Sequence, residues 1–154
     1  MTWPTHLAAW LIIGHLTGDY VTALACSYLV DADHLIPIIK QWFLFKPKQM
    51  WKWLLEPEDT IITDQRNYFH SIFAFVILSL IILLINVPVG IVFAIAYAVH
   101  LCFDMLDKSD YYPLFPNKSI NVKWRIKYCS KQEFIFAGAL YLVRIVLVLT
   151  SGKF

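Results

Sequence analysis

The chain has 154 residues, of which 59% are hydrophobic and only 16% are charged, and its mean hydropathy is +0.60. This composition is more apolar than that of soluble domains, so it predicts one domain, residues 1–154, in a lipid bilayer. The net charge of +2 gives no signal for nucleic acid, and three separated cysteines without a CxxC pair argue against a zinc ribbon or a disulfide framework.

The first predicted element is the apolar tract from Thr5 to Val30, which Gly18 and Asp19 interrupt. The tract is either one membrane span or two half-length helices that turn at Gly18-Asp19. Gly is common just past a helix end and Asp is a good N-cap, so we favour the hairpin. A hairpin brings His6 back beside the end of the tract, whereas a single span separates the two across the membrane.

The tract ends in YLVDADHLIP, residues 28–37, which places Asp31, Asp33 and His34 within four positions. Burying carboxylates is costly unless a cation or another partner compensates. These side chains therefore either reach water or hold a metal ion.

Residues 38–66 form the first predicted connector. Its first half mixes lysines with tryptophans, as segments at the membrane interface do, and its second half is acidic. The alternative interpretation is an ordinary solvated loop.

The apolar run Phe69–Asn86 is the clearest predicted membrane span. We expect a turn at Val87–Gly90 and a return helix over Ile91–Leu106. A second, basic connector covers residues 107–132, and Glu133–Gly152 is the last predicted span. The predicted fold is all-α, an integral membrane bundle of about four to five helices.

Lysine and arginine concentrate in the two connectors, and the predicted turn between the central helices has none. By the positive-inside rule both connectors are cytoplasmic, which predicts an inner-membrane protein if the source is bacterial. Asp31, His70, His100 and Asp104 all lie next to a connector, so this topology brings them to the cytoplasmic face.

His100 and Asp104 are four residues apart, so they point the same way on a helix. Alone, this pair is as well explained by a His–Asp hydrogen bond, and a lone His70 at a helix start is more often structural. In combination, imidazoles and carboxylates are the ligands that zinc and manganese accept. The sequence therefore predicts a metal site.

Three stretches, VDADH, RNYFHS and HLCFDMLDKSDYYPLFP, resemble motifs of the YdjM-like family of membrane-bound, predicted metal-dependent hydrolases. That family shows PDxDH, HRGxTHS, and HxxxD followed by a Pro-containing loop. The matching positions are His6, Asp31, Asp33, His34, Arg66, His70, Ser71, His100, Asp104 and Pro116. The departures are Val30, Gln65, Asn67, Phe69 and Asp107.

The resemblance implies a hydrolase that acts on a phosphoester, for example a lipid, through a metal-activated water. The family is distantly similar to zinc-dependent phospholipases C and single-strand nucleases, which use three zinc ions. No histidine follows Asp104 here, so we expect one or two divalent ions, zinc or manganese. The predicted ligands are His6, Asp31, His70, His100 and Asp104. The predicted catalytic residues are Asp33, His34 and Arg66. Asp33 and His34 are either the general base, further ligands or residues that orient the ligands, and Arg66 is either a phosphate clamp or a cytoplasmic flanking charge.

Two other functions stay open: a non-catalytic membrane protein with a structural metal site, and a metal transporter or sensor. An enzyme predicts an open metal position, a structural site predicts a closed set of ligands, and a transporter predicts polar residues through the bundle. The predicted partners are membrane lipid and a phosphoester substrate, and the sequence does not predict an oligomeric state.

Arg144 lies near the middle of the last predicted span, where a charge usually faces a partner. If residues 6–31 form a hairpin, its tip lies at a similar depth. We therefore predict that Arg144 pairs with Asp19, with His15 nearby.

Overall fold

The computed structural model describes residues 2–40, 42, 45–55 and 68–152. The elements in order are α1 (Trp3–Thr17), α2 (Tyr20–Val30), a 3-10 turn (Asp31–His34), α3 (Leu35–Lys40), α4 (Pro47–Leu55), α5 (Ile72–Ile85), α6 (Val87–Met105) and α7 (Lys131–Ser151). Within these ranges there is no strand, only an isolated bridge between Asp107 and Ile126. The predicted all-α fold is confirmed.

The first two helices form the predicted hairpin. Gly18 ends α1 with a φ of 79°, and its N–H donates to the Gly14 carbonyl at 2.8 Å. The Asp19 carboxylate then accepts from the Thr22 N–H at 2.9 Å and starts α2. The helices pack closely, because a Cβ added at Gly14 would lie 2.4 Å from the Tyr20 ring. The single-span alternative is thereby ruled out.

The central hairpin turns earlier than predicted. Asn86 is the N-cap of α6, and its side chain accepts from the Val89 N–H at 3.2 Å. The predicted turn at Val87–Gly90 is wrong, because these residues form the first turn of α6. Pro88 suits that position, where a backbone N–H would have no helical partner. α5 is also shorter than predicted, with 14 residues over Ile72–Ile85.

The helix α6 lies at the centre, against α1, α2 and α5, and α7 packs on α1. The core is apolar and includes Trp10, Ile13, Cys26, Phe93 and Tyr97. By length and composition, Val87–Met105 and Lys131–Ser151 could each cross a membrane. α7 is mostly exposed and presents large apolar side chains outward, including Leu142 and Leu149.

The first connector is partly helical, since the second half of α3 and all of α4 lie within it. This adds short helices that the sequence did not predict, because their stretch mixes lysines and aromatic residues in a way that also suits a loop. Trp42 and Trp51 are exposed there. Residues 56–67, which include the predicted phosphate clamp Arg66, fall outside the described part of the chain.

The second connector folds back against the helix ends. Ile126 accepts from the Lys108 N–H at 2.8 Å and donates to the Leu106 carbonyl at 3.1 Å. Farther along, the Pro113 carbonyl accepts from the Ile72 N–H, the first of α5, at 2.8 Å. The connector is therefore fastened to the same ends of α5 and α6 that carry the predicted metal ligands.

The predicted pairing of Arg144 with Asp19 is wrong. The guanidinium instead donates to His15 Nδ1 at 3.2 Å and to the Tyr20 hydroxyl at 3.0 Å. The Asp19 carboxylate faces the first turn of α2, where it is the helix cap. The expectation that His15 lies near Arg144 is confirmed.

Candidate metal centre

Five predicted ligand side chains meet at the connector end of the bundle: His6, Asp31, His70, His100 and Asp104. Asp104 Oδ2 lies 3.2 Å from His70 Nε2 and 3.3 Å from His100 Nε2. Asp31 Oδ1 lies 3.4 Å from His100 Nε2 and 3.9 Å from His70 Nε2. Residues from separate helices therefore surround a common point.

The helical hairpin brings His6 into this cluster. Its Nε2 lies 3.5 Å from Asp104 Oδ1, and its ring stacks on His100 with centroids 4.1 Å apart. His6 is buried, 2% exposed, on the first turns of α1. The turn at Gly18 and Asp19 thus returns α2 to the level of His6, as the hairpin interpretation required.

The separations between these atoms fit a bound divalent ion. A tetrahedral zinc ion about 2.0–2.1 Å from each ligand holds its ligand atoms about 3.3 Å apart. The contacts of Asp104 and Asp31 with His100, at 3.3 Å and 3.4 Å, match that spacing. The buried Nε2 atoms of His70 and His100 have no hydrogen-bond partner within the described part of the chain, and a cation would satisfy both.

The ligand atoms fall into two adjacent groups. His6, His100 and Asp104 form one, and Asp31, His34 and His70 form the other. Within each group the ligand atoms lie within 4.8 Å of one another. Because Asp104 and Asp31 also contact histidines across the two groups, the arrangement suits either one ion or two ions that share carboxylates.

Asp33 lies behind His70 and fixes its orientation. The buried Oδ2 of Asp33 accepts from the backbone N–H groups of Phe69 and His70, at 2.8 Å and 3.2 Å. The same oxygen lies 3.1 Å from His70 Nδ1. A carboxylate there favours the tautomer with the proton on Nδ1, which leaves the Nε2 lone pair facing the cluster.

Two tyrosines bind the backbone carbonyls of Phe69 and His70. The Tyr111 hydroxyl donates to the His70 carbonyl at 2.7 Å, and the Tyr97 hydroxyl donates to the Phe69 carbonyl. Both tyrosine side chains are fully buried. Sequence reasoning missed both, because an isolated tyrosine in an apolar helix or a loop gives no sign of a distant partner.

Ser27 orients the third histidine. Its Oγ lies 2.8 Å from His100 Nδ1, so that the proton can stay on Nδ1 and the Nε2 lone pair can face the carboxylates. Ser27 was also missed, although the sequence carried a signal. It lies on α2 four residues before Asp31, which directly follows the helix, and helical spacing puts two such positions on the same face.

Among the described residues, the cluster is partly exposed at the edge formed by Asp31 and His34. The side chains of His70 and His100 are 0% exposed and that of Asp104 is 2% exposed, whereas those of Asp31 and His34 are 23% and 31% exposed. His34 Nε2 lies 3.6 Å from Asp31 Oδ1 at this edge. Burial would raise the pKa of the Asp31 carboxyl, but the imidazoles of His100, His6 and His34 lower it to about 2.

The start of α7 fastens the start of α1, and hence His6. Glu133 is buried, 1% exposed. Its Oε1 accepts from the Thr2 N–H and from the Thr5 hydroxyl, the latter at 3.5 Å, and its Oε2 accepts from the Cys129 N–H at 2.8 Å. Sequence reasoning placed the start of the last span at Glu133 without recognising this role.

The comparisons with known proteins give a family and no activity. The family described as "YdjM inner membrane protein" matches residues 1–153. No curated protein and no solved structure matches the chain.

Proposed function

Because this chain belongs to the YdjM inner membrane protein family, we propose that it is an integral membrane protein with a divalent-metal centre that hydrolyses a phosphoester. The observation that carries the proposal is the convergence of three imidazoles and two carboxylates, with buried Nε2 atoms facing a common point and one open edge.

The proposed ligands are His6, Asp31, His70, His100 and Asp104, and the proposed metal is zinc, with manganese as the second choice. Imidazole and carboxylate donors suit both metals. When bound, the ion would lower the pKa of a water ligand toward neutrality and neutralise charge on a phosphoryl oxygen.

The protein's own side chains divide the remaining work. Asp33 keeps the proton of His70 on Nδ1, and Ser27 does the same for His100, so both rings present Nε2 inward. His34 stands at the open edge, where we propose that it accepts a proton from the attacking water. Arg66 stays a proposed phosphate clamp, because its position four residues before His70 lies in the segment that leads into the centre.

The proposed membrane placement puts the metal centre at the cytoplasmic face. Both connectors join helix ends at the metal-centre end of the bundle, and the turns at Gly18-Asp19 and Asn86 lie at the other end. The basic connector 107–132 would then face the cytoplasm. A substrate there is within reach of the inner leaflet, which favours a lipid phosphoester.

The two alternatives fit the structure less well. A structural metal site would enclose its ion, but Asp31 and His34 leave an edge exposed. A transporter needs polar groups through the bundle, but the described core between the metal centre and His15 is lined by Trp10, Ile13 and Cys26. These observations favour a hydrolase over both.

The test is metal analysis of the purified wild-type protein and of His100→Ala and Asp104→Asn, followed by a phosphodiesterase assay on the same samples. We expect the wild type to hold stoichiometric metal and each variant to lose most of it and its activity. His15→Ala and Asp110→Asn are matched controls outside the centre and should keep the metal. Full metal content in both site variants would remove His100 and Asp104 from the ligand set, and metal without hydrolysis would favour the structural alternative.

A further inference from the structure

A second polar cluster lies at the end of the bundle opposite the metal centre. It comprises His15 at the end of α1, Tyr20 at the start of α2, and Arg144 and Ser151 of α7. Arg144 donates to His15 Nδ1 at 3.2 Å, and Ser151 Oγ lies 2.9 Å from His15 Nε2. His15 is about 13 Å along the helix axis from His6, so the two clusters are distinct.

Arg144 brings a positive charge to this cluster that the described residues do not neutralise. Its described partners are the imidazole of His15 and the hydroxyl of Tyr20, and neither is an anion. The carboxylate of Asp19 is used as the cap of α2. A guanidinium has five N–H donors, and these two contacts leave donors for a further acceptor.

The surroundings make an uncompensated charge expensive. The neighbouring side chains on α7 are apolar and exposed, including Val143, Ile145 and Val146. A cation on an apolar, lipid-facing surface either pairs with an anion or extends toward the headgroups. Arg144 lies about 10 Å along the helix from Ser151 at the end of α7, so its side chain can reach the headgroup layer of the leaflet opposite the connectors.

The geometry suits a phosphate group. A guanidinium binds phosphate through two parallel hydrogen bonds, and Arg is preferred over Lys where such paired bonds are needed. The Tyr20 hydroxyl accepts from Arg144 Nη2 at 3.0 Å and lies 3.3 Å from His15 Nδ1, on a side chain that is 40% exposed. Its proton can turn from His15 to the same anion. His15, held between Arg144 and Ser151, keeps the guanidinium in place.

We propose that Arg144, with Tyr20 and His15, binds a phosphate-type anion, the headgroup of an anionic phospholipid in the leaflet opposite the metal centre. The proposal rests on the membrane placement given under the proposed function and is independent of the metal and of hydrolysis.

The test measures binding of phosphatidylglycerol to the purified chain in neutral detergent by native mass spectrometry. We expect Arg144→Gln to weaken binding on the order of tenfold, since it removes a charge-assisted contact. Tyr20→Phe should weaken it about threefold, as a single neutral hydrogen bond does. Arg125→Gln is the matched control, because it removes an exposed cation of the basic connector, and it should leave this binding unchanged.

A second arm replaces the lipid with inorganic phosphate. Binding of the lipid alone identifies the headgroup as the ligand, and equal Arg144-dependent binding of both identifies phosphate itself. Equal lipid affinity in the Arg144 and Arg125 variants overturns the proposal. If Arg144→Gln does not fold, lipid binding is measured on Arg144→Lys and Tyr20→Phe instead. Unchanged lipid affinity in both variants likewise overturns the proposal. Metal content measured on the same samples should stay at the wild-type level, which separates this result from the fate of the metal centre.

Discussion

A single buried carboxylate, Asp33, makes three contacts with one short stretch of chain. It accepts from the Phe69 and His70 N–H groups and faces His70 Nδ1. Tyr97 and Tyr111 bind the two carbonyls of the same stretch. The orientation of the His70 ring is thus fixed without a metal ion, and a ligand that is preformed in this way would lose less conformational freedom on binding the proposed metal.

Asp33→Asn tests how far this carboxylate supports His70. The amide keeps the size of the side chain but lacks the charge that holds the proton on His70 Nδ1. We expect metal affinity to fall about 10- to 100-fold, as is usual when the partner of a ligating histidine is changed. Competition with a chromophoric chelator measures the affinity.

The control for Asp33→Asn is Asp110→Asn, which alters an exposed carboxylate paired with Lys123 at 2.9 Å. It should bind metal as the wild type does. A wild-type affinity in Asp33→Asn would show that Asp33 does not support the centre.

At the residue scale, the sequence predicted the ligand types but not their supports. His100 and Asp104 could be paired because helix periodicity puts them on one face. Asp33 could be named, but not its partner, because 36 residues of chain separate it from Phe69. Tyr97, Tyr111 and Glu133 were missed because their hydrogen bonds are also long-range, and no local pattern encodes such contacts.

At the scale of the elements, α7 and α1 share one capping residue. The Ser130 side chain accepts from the Glu133 N–H at 3.3 Å, and the Glu133 carboxylate accepts from the Cys129 and Thr2 N–H groups. Both helix starts have N–H groups without helical partners, and one buried carboxylate serves both. The position of His6 therefore depends on a residue of the last helix.

We expect Glu133→Ala to lower the free energy of unfolding by on the order of 3 kcal/mol, because it leaves the buried Thr2 N–H and the partly buried Cys129 N–H without an acceptor. Unfolding of the metal-free protein in mixed micelles, followed by circular dichroism, measures the loss. The same variant should bind metal more weakly, since α1 carries His6.

Glu133→Gln is the matched variant, because one amide oxygen can still accept where the carboxylate did. It should lie between the wild type and Glu133→Ala in both measurements. Stability and metal affinity of Glu133→Ala equal to those of the wild type would mean that this contact does not hold α1.

Element boundaries were predictable where a cap was visible in the sequence. Gly18 and Asp19 marked the first turn correctly because each has a strong positional preference. The second turn was placed too late, since Pro88 and Gly90 are typical of turns as well as of helix starts. The start of α6 is set by Asn86, a good N-cap, whose side chain accepts from the Val89 N–H.

At the scale of the whole molecule, the alternation of apolar stretches and polar connectors predicted the order of the helices along the chain. Two helices joined by a short turn are antiparallel, so their free ends lie together at the end of the bundle opposite the turn. His6, His70 and His100 lie near those free ends and therefore come together. Composition alone could not give the length of each helix, because α5 has only 14 residues although the apolar run that predicted it is longer. The side chains that enclose the cluster follow from packing around α6, which apolar periodicity does not specify.

The central claim is that imidazoles and carboxylates from separate helices bind one metal centre. X-ray absorption at the metal edge of the purified wild-type protein tests it most directly. The structure predicts nitrogen and oxygen ligands at about 2.0–2.1 Å, with the outer-shell scattering of several imidazoles and no sulfur. A protein without stoichiometric metal, or a spectrum dominated by sulfur at about 2.3 Å, would contradict the claim.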